Sequence, residues 1–217
     1  MKNASAPFFA FDSLPSELAV FPLSGVLLLP RGQLPLHIFE PRYVAMVEDT
    51  LKTADRLIGI IQPAHVGSDI LFPIGCAGRI TAFEEQAEGR FIITLTGLCR
   101  FRVAREGEPS AGGYRRVTPE WAPYRGDLMA AGCLDLDRDR LTALLRVYLS
   151  RNEMTCAWES IARTPDERLM TCLSMICPFE PQEKQALLEA PTCRDRAALF
   201  MTLLEIAVQA KESPVRH

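Results

Sequence analysis

The chain has 217 residues, 48% of them hydrophobic and 24% charged, with a formal net charge of -3. This balance describes a globular chain, one large domain or two small ones, long enough to bury a core, and it excludes a disordered polyelectrolyte. The mild negative charge leaves no electrostatic footprint for nucleic acid, and no apolar run approaches the roughly 20 residues of a membrane span.

At the N-terminus, Pro7-Phe8-Phe9-Ala10-Phe11 is apolar but ends at Asp12, short of the roughly 7–15 apolar residues of a signal peptide. Residues 1–17 are expected to form a loose leading segment of a cytoplasmic protein. The cysteines Cys76, Cys99, Cys133, Cys156, Cys172, Cys177 and Cys193 are odd in number and scattered. That usage fits a reducing compartment, with cysteine serving as a small hydrophobe.

The stretch from Val20 to Pro30 and on to Tyr43 is almost wholly apolar and is broken by Pro22, Pro30, Pro35 and Pro41. Proline lacks the N–H of a ladder and fixes its own φ, so the run reads as a strand, a bend, a second strand and a helix start inside a β-rich core. Pro41 suits a first helical position, and Tyr43, Val47, Thr50, Leu51 and Ala54 recur at helical spacing after it. Leu57 to Gln62 reads as a buried strand, residues 64–73 as a loop, and Gly75 to Glu85 with Arg90 to Thr96 as a hairpin. Gly97 marks a bulge or bend, Arg100 to Val103 a half-exposed strand, and Tyr114 to Trp121 one more strand.

The texture changes at Pro123. Leu141, Leu144, Leu145, Tyr148 and Leu149 form a helical stripe; Thr164 and Pro165 announce a second helix with Leu169, Leu173 and Ile176 on its apolar face. A short helix follows Glu180-Pro181, and Thr192 with Asp195 opens a last one carrying Leu199, Leu203, Ile206 and Ala207. The fold class is therefore α+β: a β-rich pseudo-barrel subdomain with one helix over residues 18–122, then a small antiparallel helical bundle over 123–217.

The motif search is negative. There is no phosphate loop, no His-Glu-x-x-His pair, no Gly-x-Ser-x-Gly elbow and no Cys-x-x-Cys pair. Neither a metal nor a cofactor is expected. A thiol nucleophile needs a base, and His37 and His65 are the internal histidines. Arg100, Arg102, Arg105, Arg115 and Arg116 read either as a basic stripe or as a solvated face paired with Glu84, Glu85, Glu106 and Glu108. Around Pro41, Glu40 and Arg42 either lock a corner by a salt bridge while Phe39 and Tyr43 fill the core, or border a groove for extended peptide.

Phe21-Pro22-Leu23, Leu29-Pro30 and the run from Leu34 through Pro35, His37, Phe39, Pro41 and Arg42 to Tyr43 closely resemble the opening motif of the N-terminal substrate-binding domain of Lon ATP-dependent proteases. Gly75-Cys76-Ala77-Gly78-Arg79-Ile80, Gly89-Arg90-Phe91, Gly97, Arg100 to Val103 and Glu183 to Glu189 agree in the same order. The pattern departs at Arg31-Gly32, where the family commonly has Gly directly after the proline. The resemblance implies a stand-alone domain without ATPase or peptidase modules, not an enzyme. Its expected partners are unfolded or extended polypeptides and a full-length Lon-type protease, with no nucleic acid and no membrane. Candidate peptide-binding residues are His37, Phe39, Arg42 and Tyr43. Two competing readings are a small-molecule or nucleotide pocket and a cysteine-dependent hydrolase.

Overall fold

The computed structural model describes residues 10–65, 67–129 and 134–210. For residues 1–9 the expected loose segment lies outside the described residues, as do Cys133 and His217. The chain divides into two compact units, Met1–Ala130 and Ala131–His217. The division falls beyond the 122/123 join read from the sequence.

The first unit contains β1 (Leu18–Pro22), β2 (Gln33–Ile38), α1 (Pro41–Leu51), β3 (Leu57–Ile61), β4 (Ile74–Gln86), β5 (Arg90–Glu106) and β6 (Arg115–Glu120). The sheet order is β2-β5-β4-β3-β1-β6, and β6 also pairs with β5, so five strands close into a ring with β2 outside it. Only β1 and β3 run parallel; the other pairs are antiparallel. β5 serves two neighbourhoods because it is 17 residues long. Its first half lies between β2 and β4 and its second between β4 and β6. The pairing shifts register where Leu98 is passed over, the bulge expected beside Gly97; such an extra residue bends and twists a strand.

Leu18, Val20, Leu57, Ile61, Ala77, Cys99, Phe101, Val117 and Trp121 fill the ring. Phe101 is fully buried and meets Trp121 edge-on at 5.8 Å between centroids. A Cβ at Gly75 would lie 2.7 Å from the Phe101 ring and 2.7 Å from the Ile60 carbonyl, so the ring of Phe101 depends on a missing side chain.

Leu27, Leu28 and Leu29 are buried but form no strand. They cross β5 at Gly97, where an added Cβ would sit 2.0 Å from the Leu29 carbonyl oxygen. Buried backbone of this kind must find partners, and it does. Arg31 N–H donates to Gly97 O at 2.8 Å, Gly97 N–H to Gly32 O at 2.8 Å and Gly32 N–H to Leu29 O at 2.9 Å. Arg31 adopts φ +67, a left-handed conformation that costs an L-residue about 1 kcal/mol and that glycine adopts freely. Its guanidinium is held by the carbonyls of Asp127, at 3.3 Å, and Met129.

Three expectations for this unit are corrected. α1 ends at Leu51, and Ala54 is exposed beyond it, because Met46 takes the buried position. Arg100 is not on a solvated face: it is buried, and its backbone N–H, Nε and Nη2 each reach the Asp127 carboxylate at 2.9 Å. The glutamate partners are in part others: Arg115 pairs with Glu106 as expected, but Arg102 lies beside Glu120 and Arg116 on Glu17. The Arg100 guanidinium stacks 4.8 Å from the Tyr124 ring centroid. These contacts bind the 3-10 turns Ala122–Leu128 to β5 and keep them in the first unit.

The second unit holds α2 (Arg138–Arg151), α3 (Trp158–Arg163), α4 (Asp166–Ile176), α5 (Pro181–Glu189) and α6 (Cys193–Ala210). Phe179 bridges Tyr148 and Phe200 at 5.5 and 5.4 Å between centroids, and α6 touches α2, α4 and α5. α3 escapes the sequence reading because six residues carry too little periodicity. Thr164 closes α3, donating from Oγ1 to Ser160 O at 2.6 Å, and does not cap α4. Ile176 and Ile206 are exposed, while Met170, Phe200 and Leu204 take the core positions. The buried faces are rotated from those expected. The caps of α5 and α6 form as expected: Glu180 N–H donates to the Glu183 carboxylate at 2.8 Å, and Asp195 N–H to Thr192 Oγ1 at 3.1 Å.

Gly97→Ala is expected to lower the unfolding free energy by about 3 kcal/mol or more in urea titration, because the obstacle is main-chain and cannot rotate away. Asp127→Ala is expected to cost about 3–5 kcal/mol by removing the carboxylate that compensates the buried Arg100 charge. Arg102→Ala, which removes an exposed pair at 3.9 Å, should change stability by less than about 1 kcal/mol.

Candidate functional site

The residues singled out around Pro41 occupy the junction of β2 and α1. Pro41 starts the helix after an extended Glu40. Glu40 and Arg42, both exposed, form a salt bridge at 3.1 Å across that proline. The corner is thus locked in the way the bland reading anticipates.

Tyr43 is buried against Phe21 at 4.0 Å between ring centroids, with the Arg42 guanidinium 4.6 Å from its ring. Burial raises its phenol pKa. Tyr43 therefore braces the corner from inside. Phe39 does not fill the core: it is 67% exposed, because the chain leaves the sheet before it. His37 is exposed on β2 opposite Ile92.

The pairing register brings in residues that local sequence reading missed. Leu36, Ile93 and Phe83 form one row across β2, β5 and β4, and Ile38, Phe91 and Glu85 the next. Ile93 is fully buried, Leu36 is half-buried and Phe83 is 50% exposed. An apolar row thus runs from the interior to the surface across β2, which carries His37 on its opposite face and is followed by Phe39. The alternation of Leu34, Leu36 and Ile38 signalled the β2 half of it; Phe83 needed the cross-strand register.

A cavity of about 410 Å³ lies elsewhere in this unit, lined by Leu18, Asp49, Leu57, Tyr114 and Arg116 among others. The Tyr114 hydroxyl donates to Asp49 there at 3.1 Å. Hydrogen bonding from Lys52 holds the Asp49 carboxyl below its ordinary pKa. None of His37, Phe39 and Arg42 lines it.

The thiols have a different character. Cys76 and Cys99 are fully buried. Cys99 donates to the Arg100 and Tyr124 carbonyls at 3.2 and 3.4 Å, and burial pushes its pKa up to about 12. Burial pushes Cys177 up to about 12 as well. His37 hydrogen-bonds neither Cys76 nor Cys99 among the described residues. Among the described residues no group of three His, Cys, Asp or Glu side chains is placed to hold a metal ion, and no helix is long and apolar enough to cross a membrane.

A small closed β-barrel flanked by an open strand, with a separate unit of helices after it in the chain, is the architecture found here. Solved structures share it. A Lon N-terminal domain protein from Xanthomonas campestris matches with TM-score 0.59 and 20% identity over 87% of this chain and 98% of its own. The N-terminal domain of Mycobacterium avium complex Lon protease matches with TM-score 0.59 and 17% identity over 89% and 98%. Residues 17–205 match the family model of the ATP-dependent protease La (LON) substrate-binding domain, and the chain belongs to that family. Lon protease 2 of Myxococcus xanthus is 24% identical over 94% of the chain, and Lon protease of Anaeromyxobacter dehalogenans 22% over 89%. The chain spans about a quarter of the length of these relatives, 25% and 23%.

Neutral Cys99 and Cys177 contribute stability that is complete below the ordinary thiol pKa of about 8.5. It is lost as pH rises toward their folded values near 12. Unfolding free energy should therefore fall through that alkaline window. In native protein at pH 8, a maleimide should label exposed Cys172 first and leave Cys76, Cys99 and Cys177 unmodified until denaturant is added. Native labelling of Cys99, read by mass spectrometry of the digest, would contradict the neutral, sealed thiol.

Proposed function

We propose that the chain is a non-catalytic module that binds exposed apolar segments of other polypeptides at the end of β2, where Phe39 stands exposed, with the Leu36–Phe83 row on one face of the strand and His37 on the other. The observation that carries this reading is the exposure of Phe39 at the end of β2, in a chain of the Lon substrate-binding family. An aromatic ring held in water by a locked corner is an inexpensive anchor, since Pro41 and the Glu40–Arg42 pair have already removed much of the backbone's freedom. Arg42 borders the patch and supplies a donor for a ligand carbonyl or carboxylate. Tyr43 supports from beneath. In this reading the module presents unfolded or extended chains to a full-length Lon-type protease, or regulates their turnover, and does no chemistry itself.

Buried, neutral thiols favour this over a cysteine hydrolase. Titration calorimetry with short peptides rich in apolar and aromatic residues should show saturable binding. Phe39→Ser should weaken it about tenfold or more while leaving the melting temperature unchanged, as expected for an exposed anchor. Intact, folded protein that binds none of the peptides refutes the reading.

A further inference from the structure

The barrel leaves its sheet with few open edges. β6 pairs on one side with β1 and on the other with β5, and β3 lies between β1 and β4. Among the described residues, open backbone includes the outer side of β2 and the distal part of β4 beyond its pairing with β3. The two are treated differently by the sequence. β4 carries Glu84 and Glu85 along its open part, the charges that discourage strand pairing, whereas Gln33 to Ile38 contains no Asp, Glu, Lys or Arg.

The direction of each β2 peptide group follows from register. Gly97 N–H donates to Gly32 O at 2.8 Å, and the same pairing continues as Leu34 with Leu95, Leu36 with Ile93 and Ile38 with Phe91. In an antiparallel ladder, alternate residues bond inward. The even-numbered residues of β2 therefore bond to β5, and Gln33, Pro35 and His37 turn their main-chain groups away from the sheet. Pro35, with no N–H, stands where no donor to β5 is needed. Among the described residues, neither the Gln33 nor the His37 N–H has a partner on that outer side.

We propose that the outer edge of β2 takes up an extended polypeptide segment as an added strand, a reading that rests on the polypeptide binding proposed above. The complement of two outward N–H groups and three outward carbonyls, spaced every second residue, is another extended backbone. Side chains on alternate positions of that segment fall beside half-buried Leu34 and Leu36, on the face whose row ends in Phe83. The missing donor at Pro35 leaves its carbonyl to accept only, so affinity comes from apolar alternation as well as from the ladder, and charge plays little part in selection.

The test uses the full chain, a short capped peptide alternating apolar and serine residues, and two copies of it, N-methylated on the odd or the even amides. Because alternation ties one peptide edge to one side-chain face, one copy should bind like the parent. The other should lose about tenfold or more. His37→Pro, which deletes an outward donor and no inward bond, should weaken the parent peptide similarly with an unchanged melting temperature. Equal affinity of all three peptides overturns strand addition and leaves polypeptide binding standing. Failure of the parent to bind overturns both. A concentration-dependent dimer in sedimentation, abolished by His37→Pro, assigns the edge to a second copy of the chain and overturns the proposal.

Discussion

The approach of the Leu29 carbonyl to Gly97 is the constraint on which the first unit rests. A strand of 17 residues must be gripped in its middle to belong to a barrel at one end and to a three-stranded ladder at the other. Three leucines without a ladder of their own supply the grip. They can lie that close because residue 97 has no side chain, and the hydrogen bonds through Arg31 and Gly32 fix where β2 begins. Once β2 is in register, the corner at Pro41 follows, and with it the exposure of Phe39.

Much of this was legible in the residues, and the failures have a common physical cause. Prolines, glycines and alternation located β1, β2, the long hairpin and the caps of α5 and α6, since those signals act within a few residues of themselves. The partner of Arg100 was not legible, because Asp127 is 27 positions away and nothing local distinguishes it from Glu84 or Glu106. The apolar faces of α4 and α6 were displaced for a similar reason. Both helices carry more hydrophobic residues than one stripe needs, and neighbouring helices choose among them, leaving Ile176 and Ile206 in water. Hydrophobicity alone leaves Phe39 open between the core and the surface, and the end of β2 before it decides for the surface. The Leu36–Phe83 row required a register that no single segment encodes.

Charge in the first unit is concentrated into fixed pairs. The buried Arg100–Asp127 contact, at 6% and 11% side-chain exposure, is costly to desolvate and specifies one arrangement of the turns behind β5. The exposed pairs at Glu40–Arg42 and Arg102–Glu120 add little energy. The buried thiols of Cys76, Cys99 and Cys177 belong to the packing.

Arg31 joins two ends of the first unit that lie almost a hundred residues apart. It stands just ahead of β2 in a backbone conformation most side chains avoid, and its guanidinium grips the carbonyls where the chain completes the barrel. A glycine there would relieve the torsion and lose the grip. Retaining arginine ties the start of the open strand to the last turns of the unit through side-chain hydrogen bonds in place of backbone ease.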